Sequence, residues 1–167
     1  MSFLVISKES SDKINVFTDG ACSNNGRSNA KAGIGIFISH DDPRNVSRPI
    51  SGKQTNNTAE LSAVIEVFSL FTNNENIIIY TDSEYVIKCS GSYGEKCEKT
   101  NYKNKKGFIP NHELVETIYN LFQQNPNVII KHVKAHTNRM DELSIGNREA
   151  DRLANLATEK KSVLNMM

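Results

Sequence analysis

The run Ile77-Ile78-Ile79-Tyr80-Thr81-Asp82 carries no charge until its last residue. A strand with one wet face alternates apolar and polar side chains. A strand covered on both faces reads as an unbroken apolar run, as in a parallel pair flanked by helical crossovers. Both faces of this segment should therefore be covered, with the strand inside the fold. The closing carboxylate is then costly, because an ionised Asp among apolar groups shifts its pKa, finds a cation or marks a metal site. The same design occurs earlier, in Ile14-Asn15-Val16-Phe17-Thr18-Asp19-Gly20-Ala21-Cys22, where Ile14, Val16 and Thr18 point one way and Asn15, Phe17 and Asp19 the other. Gly20 lets the chain turn away and lets a ligand come near the backbone. Phe17-Thr18-Asp19-Gly20 and Tyr80-Thr81-Asp82-Ser83 are near-copies, each a strand end with an Asp.

The other segments fill in the layers. Residues 22–29 are dense in turn formers and read as a polar loop. In 32–39, Ile34, Ile36 and Ile38 alternate with Gly33, Gly35 and Phe37, a strand with one close-packed, side-chain-poor face. A turn over 40–45 leads to a third strand, 46–53, which Pro49 assigns to a sheet edge. These three strands form an antiparallel meander. Leu61, Val64, Ile65, Phe68 and Phe71 recur at helical spacing, with Asn57 or Thr58 as the cap and Asn73-Asn74 as the stop. Another helix begins at Ser83-Glu84. Residues 88–108 are expected to be irregular, since Gly91, Gly94 and Gly107 argue against a regular helix. A helix over 110–124, a fifth strand over 127–133, a polar loop over 135–146 and a last helix over 147–160 complete the chain. Its 167 residues suit a single domain, 1–167, with a core over about 14–160. Residues 1–12 are a short lead, either frayed or an extra edge strand.

Two more acids are placed inward. Positions 60, 64, 67 and 71 share a helical face, so Glu60 heads a buried stripe of Val64, Val67 and Phe71. Asp151 lies beside the Ala150, Leu153, Ala154 and Ala157 stripe, in the first or second turn of the last helix. Ligands of open α/β sheets gather at the C-terminal strand ends near a switch in strand order. If the two Asp-bearing strands are neighbours there, Asp19 and Asp82 repel unless a divalent cation lies between them. Hard oxygen ligands suit Mg²⁺ or Mn²⁺ better than zinc. Taken singly, each acid also fits an ordinary role: a strand-end Asp makes turns and caps, and Glu60 or Asp151 favours a helix dipole.

Five ordered segments sharpen the choice. Thr18-Asp19-Gly20-Ala21-Cys22, Thr55-Asn56-Asn57-Thr58-Ala59-Glu60-Leu61, Tyr80-Thr81-Asp82-Ser83-Glu84-Tyr85-Val86, Val133-Lys134-Ala135-His136-Thr137 and Ile145-Gly146-Asn147-Arg148-Glu149-Ala150-Asp151-Arg152-Leu153-Ala154 together resemble the motifs of the type 1 ribonuclease H family, over roughly 14–160. The resemblance implies an α/β, ribonuclease H-like fold: a five-stranded mixed sheet, strands 1–3 antiparallel and strands 4 and 5 parallel to strand 1, flanked by helices. It implies that Asp19, Glu60, Asp82 and Asp151 are catalytic, metal-binding carboxylates. The implied reaction is hydrolysis of the RNA strand of an RNA–DNA hybrid, giving 5′-phosphate and 3′-hydroxyl ends. Two Mg²⁺ ions, with Mn²⁺ as a substitute, would sit about 3.5–4 Å apart, one activating water and one stabilising the leaving oxygen, with Asp19 bridging both. His136 matches the family's loop histidine, suited to proton movement or product release; a solvated loop histidine is the ordinary alternative. His132 is expected to be structural, and His40 and His112 have no chemical context.

The same resemblance supplies readers of the hybrid. Asn25, Asn56, Asn57 and Glu84 match minor-groove contacts to the RNA strand, with Asn57 where relatives often carry Gln. Lys53, Thr55 and Asn111 match a pocket for a DNA phosphate. Where many relatives have a basic protrusion, 88–108 carries Lys88, Lys96, Lys99, Lys103, Lys105 and Lys106 against Glu95 and Glu98, interleaved with Tyr93, Tyr102 and Phe108. A solvated lysine-rich loop is the alternative reading. The loop from His136 to Asp151 is a few residues longer than in many relatives, and its Asp141 and Glu142 are rival acids without the motif around them.

A net charge of +1 excludes a strong overall pull on polyanions, so a nucleic-acid surface must come from local clustering of charge. Three cysteines without metal-ligand spacing fit free thiols in a reducing compartment. The N-terminus has no basic n-region, and no run reaches transmembrane length. The expectation is a soluble intracellular monomer that acts on an RNA–DNA hybrid and not at a membrane.

Overall fold

The computed structural model describes residues 12–160; the lead expected over 1–12 falls, Asp12 apart, outside the described residues. The described chain runs β1 (Ile14–Ser23), β2 (Lys31–Phe37), β3 (Val46–Pro49), α1 (Asn56–Leu70), β4 (Ile77–Thr81), α2 (Glu84–Ser90), α3 (Ser92–Lys99), β5 (Lys103–Asn104), β6 (Gly107–Phe108), α4 (His112–Gln124), β7 (Val128–His132) and α5 (Glu142–Glu159). Five strands form one mixed sheet in the order β3-β2-β1-β4-β7. β1 is its pivot: it pairs antiparallel with β2 and parallel with β4. β3 is antiparallel to β2, and β7 is parallel to β4. The arrangement is the five-stranded mixed sheet that the motifs implied.

Both faces of the central strands are covered. On one face Val16, Ile34, Ile36, Ile77 and Ile79 meet Leu61, Val64 and Val67 of α1, Val86 of α2 and Val115 and Ile118 of α4. On the other, Phe17, Phe37, Ile78 and Tyr80 pack with Ala150 and Leu153 of α5. Every residue of β4 is buried, as its unbroken apolar run required.

The side-chain-poor face of β2 receives α5. A Cβ built on Gly35 would collide with the Ala150 carbonyl and the Ala154 amide, and the space over Gly33 is filled by Ala157. Glycine below and alanine above bring the helix almost onto the strand. This close approach carries Asp151 to the site end of β1.

Four local expectations change. β3 ends at Pro49 and does not continue to 53, though it is the edge strand that Pro49 predicted. The cap of α1 is Thr55: its hydroxyl accepts the Thr58 N–H at 3.1 Å, and the Thr58 hydroxyl accepts the Thr55 N–H at 3.1 Å. This reciprocal box uses Thr where Glu or Gln is usual. The 88–108 segment contains α3 and the short β5–β6 ribbon. Gly94 belongs inside α3 because a side chain there would strike the Cys89 carbonyl and the Tyr119 ring, so packing overrides propensity. Finally, α5 begins five residues before the expected 147, capped by Asp141, whose carboxylate accepts the Ser144 N–H at 2.9 Å. Asp151 therefore lies in the third turn, and Asp141 is a cap.

Gly35→Ala is expected to lower stability by about 1–3 kcal/mol, since the backbone of α5 cannot yield as a flexible side chain would; urea unfolding monitored by circular dichroism measures it. An unchanged midpoint would mean that α5 does not rest on β2 this closely.

Candidate active site

The parallel register of β1 and β4 runs through Phe17↔Tyr80. Two residues further along each strand, Asp19 and Asp82 reach the same sheet edge. The connections from β1 lead to β2 on one side and, through β3 and α1, back to β4 on the other. The two acids thus flank the switch in strand order where such sheets bind ligands. α1 supplies Glu60 from above β1. Gly20 makes this possible, because a Cβ there would run into the Ala59 carbonyl carbon and the Glu60 amide.

One carboxylate oxygen from each of Asp19, Glu60 and Asp82 lies within 4.8 Å of the others. Asp19 is 4% exposed, and its carboxylate accepts the Gly20 N–H at 2.9 Å. Glu60 Oε2 is buried without a hydrogen-bond partner among the described residues. Burial, then the charges of Glu60 and Asp82, then Asp151 push the Asp19 carboxyl far above the usual carboxylate range. Burial and then Asp82 raise Glu60, while the neighbouring Asp19 and the Gly20 amide pull the other way. Asp151 stands outside the close triad, near enough to push the Asp19 carboxyl further up. The Asn155 amide, one turn on, donates to Asp151 Oδ1 at 3.2 Å. The donors are all hard oxygens, and one buried oxygen lacks a partner. That set fits a divalent cation of the Mg²⁺ or Mn²⁺ type and does not fit a soft-ligand zinc site.

The remaining predicted residues divide into groups. A cleft of about 440 Å³ is lined by Asn25, Gly26, Lys53, Thr55, Asn56, Asn57, Pro110 and Asn111. It gathers all three phosphate-pocket candidates and three of the four minor-groove candidates; Glu84, exposed in the first turn of α2, is not in its lining. Asn25 Oδ1 accepts the Asn56 N–H at 3.3 Å. The Thr55 hydroxyl is engaged in its capping box, so what reaches the cleft there is the helix N-terminus. Asn111 starts α4 in a left-handed conformation without a side-chain cap, and its amide donates to the Tyr85 hydroxyl at 3.3 Å. Two helix N-termini and Lys53 make this cleft attractive to an anion.

Lys96 and Lys99 lie exposed on α3, Lys99 3.8 Å from Glu95. Lys103, Lys105 and Lys106 line the exposed ribbon. There Lys103 Nζ sits 4.8 Å from the centre of the Phe108 ring, and Phe108, 57% exposed, stacks on His112 at 4.1 Å. His112 thus acquires a context that its sequence position did not show. His136 is exposed between β7 and α5, outside the acid triad. His132 ends β7 and is exposed.

Asn147 lies within the last of the ordered motifs, where the sequence alone points to no role for it. Its buried side chain donates to Asp82 Oδ2 at 3.2 Å, so α5 holds one acid while presenting another. The four-residue spacing from Asn147 to Asp151, one face of a helix, was the available signal.

A family model described as RNase H matches residues 11–159. A ribonuclease H of Schizosaccharomyces pombe is 36% identical over 146 residues, 86% of this chain and 52% of that protein. A ribonuclease H of Clostridium botulinum is 33% identical over 153 residues, 90% of this chain and 99% of that protein. The chain therefore spans about half the length of the first and nearly all of the second. Among solved structures, the PFV RNase H domain superposes with a TM-score of 0.68 at 23% identity, covering 87% of this chain and 94% of that one, a likeness of fold.

Because folding raises both acids, the folded state holds protons that the unfolded chain has released above about pH 4. Their contribution to metal-free stability is fully present below that pH and is lost as pH rises toward the folded values. Asp19→Asn is therefore expected to melt above the parent in chelator, by a margin that widens from pH 5 to pH 8. Added Mg²⁺ should raise the parent's melting temperature more than the variant's. A pH-independent margin in calorimetry would contradict the crowding of these acids.

Proposed function

Because the chain belongs to the ribonuclease H family, we propose that it hydrolyses the RNA strand of RNA–DNA hybrids endonucleolytically, leaving 5′-phosphate and 3′-hydroxyl ends. The observation that carries this reading is the convergence of Asp19, Glu60 and Asp82 at the sheet's switch point, with Asp151 beside Asp19. Two Mg²⁺ ions bound there, or Mn²⁺ in their place, would lower the pKa of a water and stabilise the charge on the leaving 3′ oxygen. Asp19, Glu60, Asp82 and Asp151 would supply the carboxylate oxygens that hold them. Asn147 keeps Asp82 turned toward the cluster. His136 is the group assigned to proton movement at the leaving end.

Hybrid selection follows from the cleft. The amides of Asn25, Asn56 and Asn57 can donate and accept, as reading a 2′-hydroxyl demands. Glu84, at the start of α2, borders the Asp82 end of the site and is assigned to the same minor groove. Lys53 and the N-termini of α1 and α4 around Thr55 and Asn111 would hold a DNA phosphate. Lys96, Lys99 and the ribbon lysines, with the Phe108 face, extend that grip as a handle. A monomer is the expected state, and the three free thiols suit a reducing intracellular setting. Among the described residues no helix is long and apolar enough to cross a membrane.

The deciding experiment incubates labelled hybrid, single-stranded RNA and duplex DNA with the chain and Mg²⁺. Cleavage confined to the RNA of the hybrid is expected. Hybrid bound but uncut would indicate a binding module, and equal cutting of duplex DNA another nuclease of this fold. In the same assay Asp19→Asn should abolish turnover while binding persists. His136→Ala should slow turnover by about 10²-fold without abolishing it.

Replacing Lys103, Lys105 and Lys106 with Gln should weaken hybrid binding and flatten its log–log salt slope by about 2–3. An unaltered slope would return the ribbon to a solvated surface.

A further inference from the structure

The segment after β7 that carries His136 is tied down by α5 side chains. Arg148, half-buried in the second turn of α5, donates from Nη1 to the Thr137 carbonyl at 2.9 Å and to the Arg139 carbonyl at 2.7 Å. Its Nη2 lies 3.7 Å from Met140 Sδ. The Thr137 hydroxyl donates to Ser144 Oγ at 2.9 Å, and the buried Ser144 hydroxyl donates to the cap, Asp141, at 3.2 Å. His136 itself has φ 52°, a left-handed conformation that residues with a Cβ adopt at a cost. Such a conformation persists where its surroundings over-determine it. A guanidinium serves this purpose well: it is always charged, offers five donors and holds them in a rigid fork.

We propose that Arg148 is a positioning residue for hydrolysis: it clamps the loop after His136 onto α5 and so sets the imidazole relative to the acids. The clamp is local to the chemistry because the same helix holds Asp82 through Asn147 and presents Asp151. One rigid element then orients two acids and the histidine loop together. The inference rests on the hydrolytic role assigned to His136 above, whereas the clamp itself is independent of that role.

The test uses the full chain and four variants: Arg148→Met, Arg148→Lys, His136→Ala and the double variant Arg148→Met/His136→Ala. Steady-state cleavage of the hybrid is measured beside backbone ¹⁵N order parameters for 136–141. Arg148→Met should lower kcat about tenfold with KM within about twofold, the size of effect that small misplacement produces. The order parameters of 136–141 should fall. The double variant should be no slower than His136→Ala, because the two residues act through one imidazole. Arg148→Lys should recover part of the rate. An unchanged kcat, a loss confined to KM, or losses that multiply in the double variant would overturn the proposal. If the parent cleaves no hybrid, the ribonuclease reading fails; unaltered order parameters in Arg148→Met would separately overturn the clamp.

Discussion

Three carboxylates that repel one another are held together by packing that none of them contributes to. Asp19 is fixed by β1, the strand that joins the antiparallel and parallel halves of the sheet. Glu60 is fixed by α1, whose Leu61, Val64 and Val67 are fully buried, and Asp82 by β4, buried along its length. The hydrophobic core supplies the energy that keeps like charges within 4.8 Å of one another. The consequence is electrostatic: burial and the neighbouring charges push the Asp19 and Glu60 carboxyls above the usual carboxylate range, and a buried Glu60 oxygen has no hydrogen-bond partner among the described residues. A divalent cation would relieve both, so the repulsion within the cluster and its suitability for a metal have one cause.

Small residues make this geometry possible at two places. Gly20 admits the backbone of α1 over β1, so that Glu60 comes down beside Asp19. Gly33 and Gly35 admit α5 over β2, so that Asp151 and Asn147 arrive at the same edge. Each glycine exchanges side-chain burial for proximity of backbones, and proximity is what a cluster of short acid side chains needs. α5 thereby becomes the organiser of one side of the site. It orients Asp82 through Asn147, carries Asp151 and anchors the His136 loop through Arg148.

Charge is distributed by the same economy. The chain is nearly neutral overall, yet Lys53 and two helix N-termini meet in the asparagine-lined cleft, and three lysines share the short ribbon with an exposed Phe108. Positive charge is thus concentrated locally in a chain with little net charge.

The two strands that end in Asp, the covered course of β4 and the inward placement of Glu60 were legible in the sequence itself, while the mixed sheet and the cleft residues followed from the resemblance of its ordered motifs. They are written in local pattern: an unbroken apolar run, an acid at the head of a buried helical stripe, motifs in a fixed order. Side-chain alternation and helical periodicity are properties of neighbours, so neighbours suffice to read them. What escaped depends on partners distant in sequence. Gly94 reads as a helix breaker until Tyr119 and the Cys89 carbonyl occupy the space of its missing side chain. Asp141 reads as a rival acid until its oxygen is found capping α5, which moves Asp151 to the third turn. Asn147 acquires its role only from Asp82, and Arg148 only from the carbonyls of the His136 loop. The sequence determined which acids the chain must bring inward and the kind of fold that could hold them. The tertiary structure alone decided how near they come and what holds them in place, because distances between remote residues are set by the packing of the whole sheet and its helices.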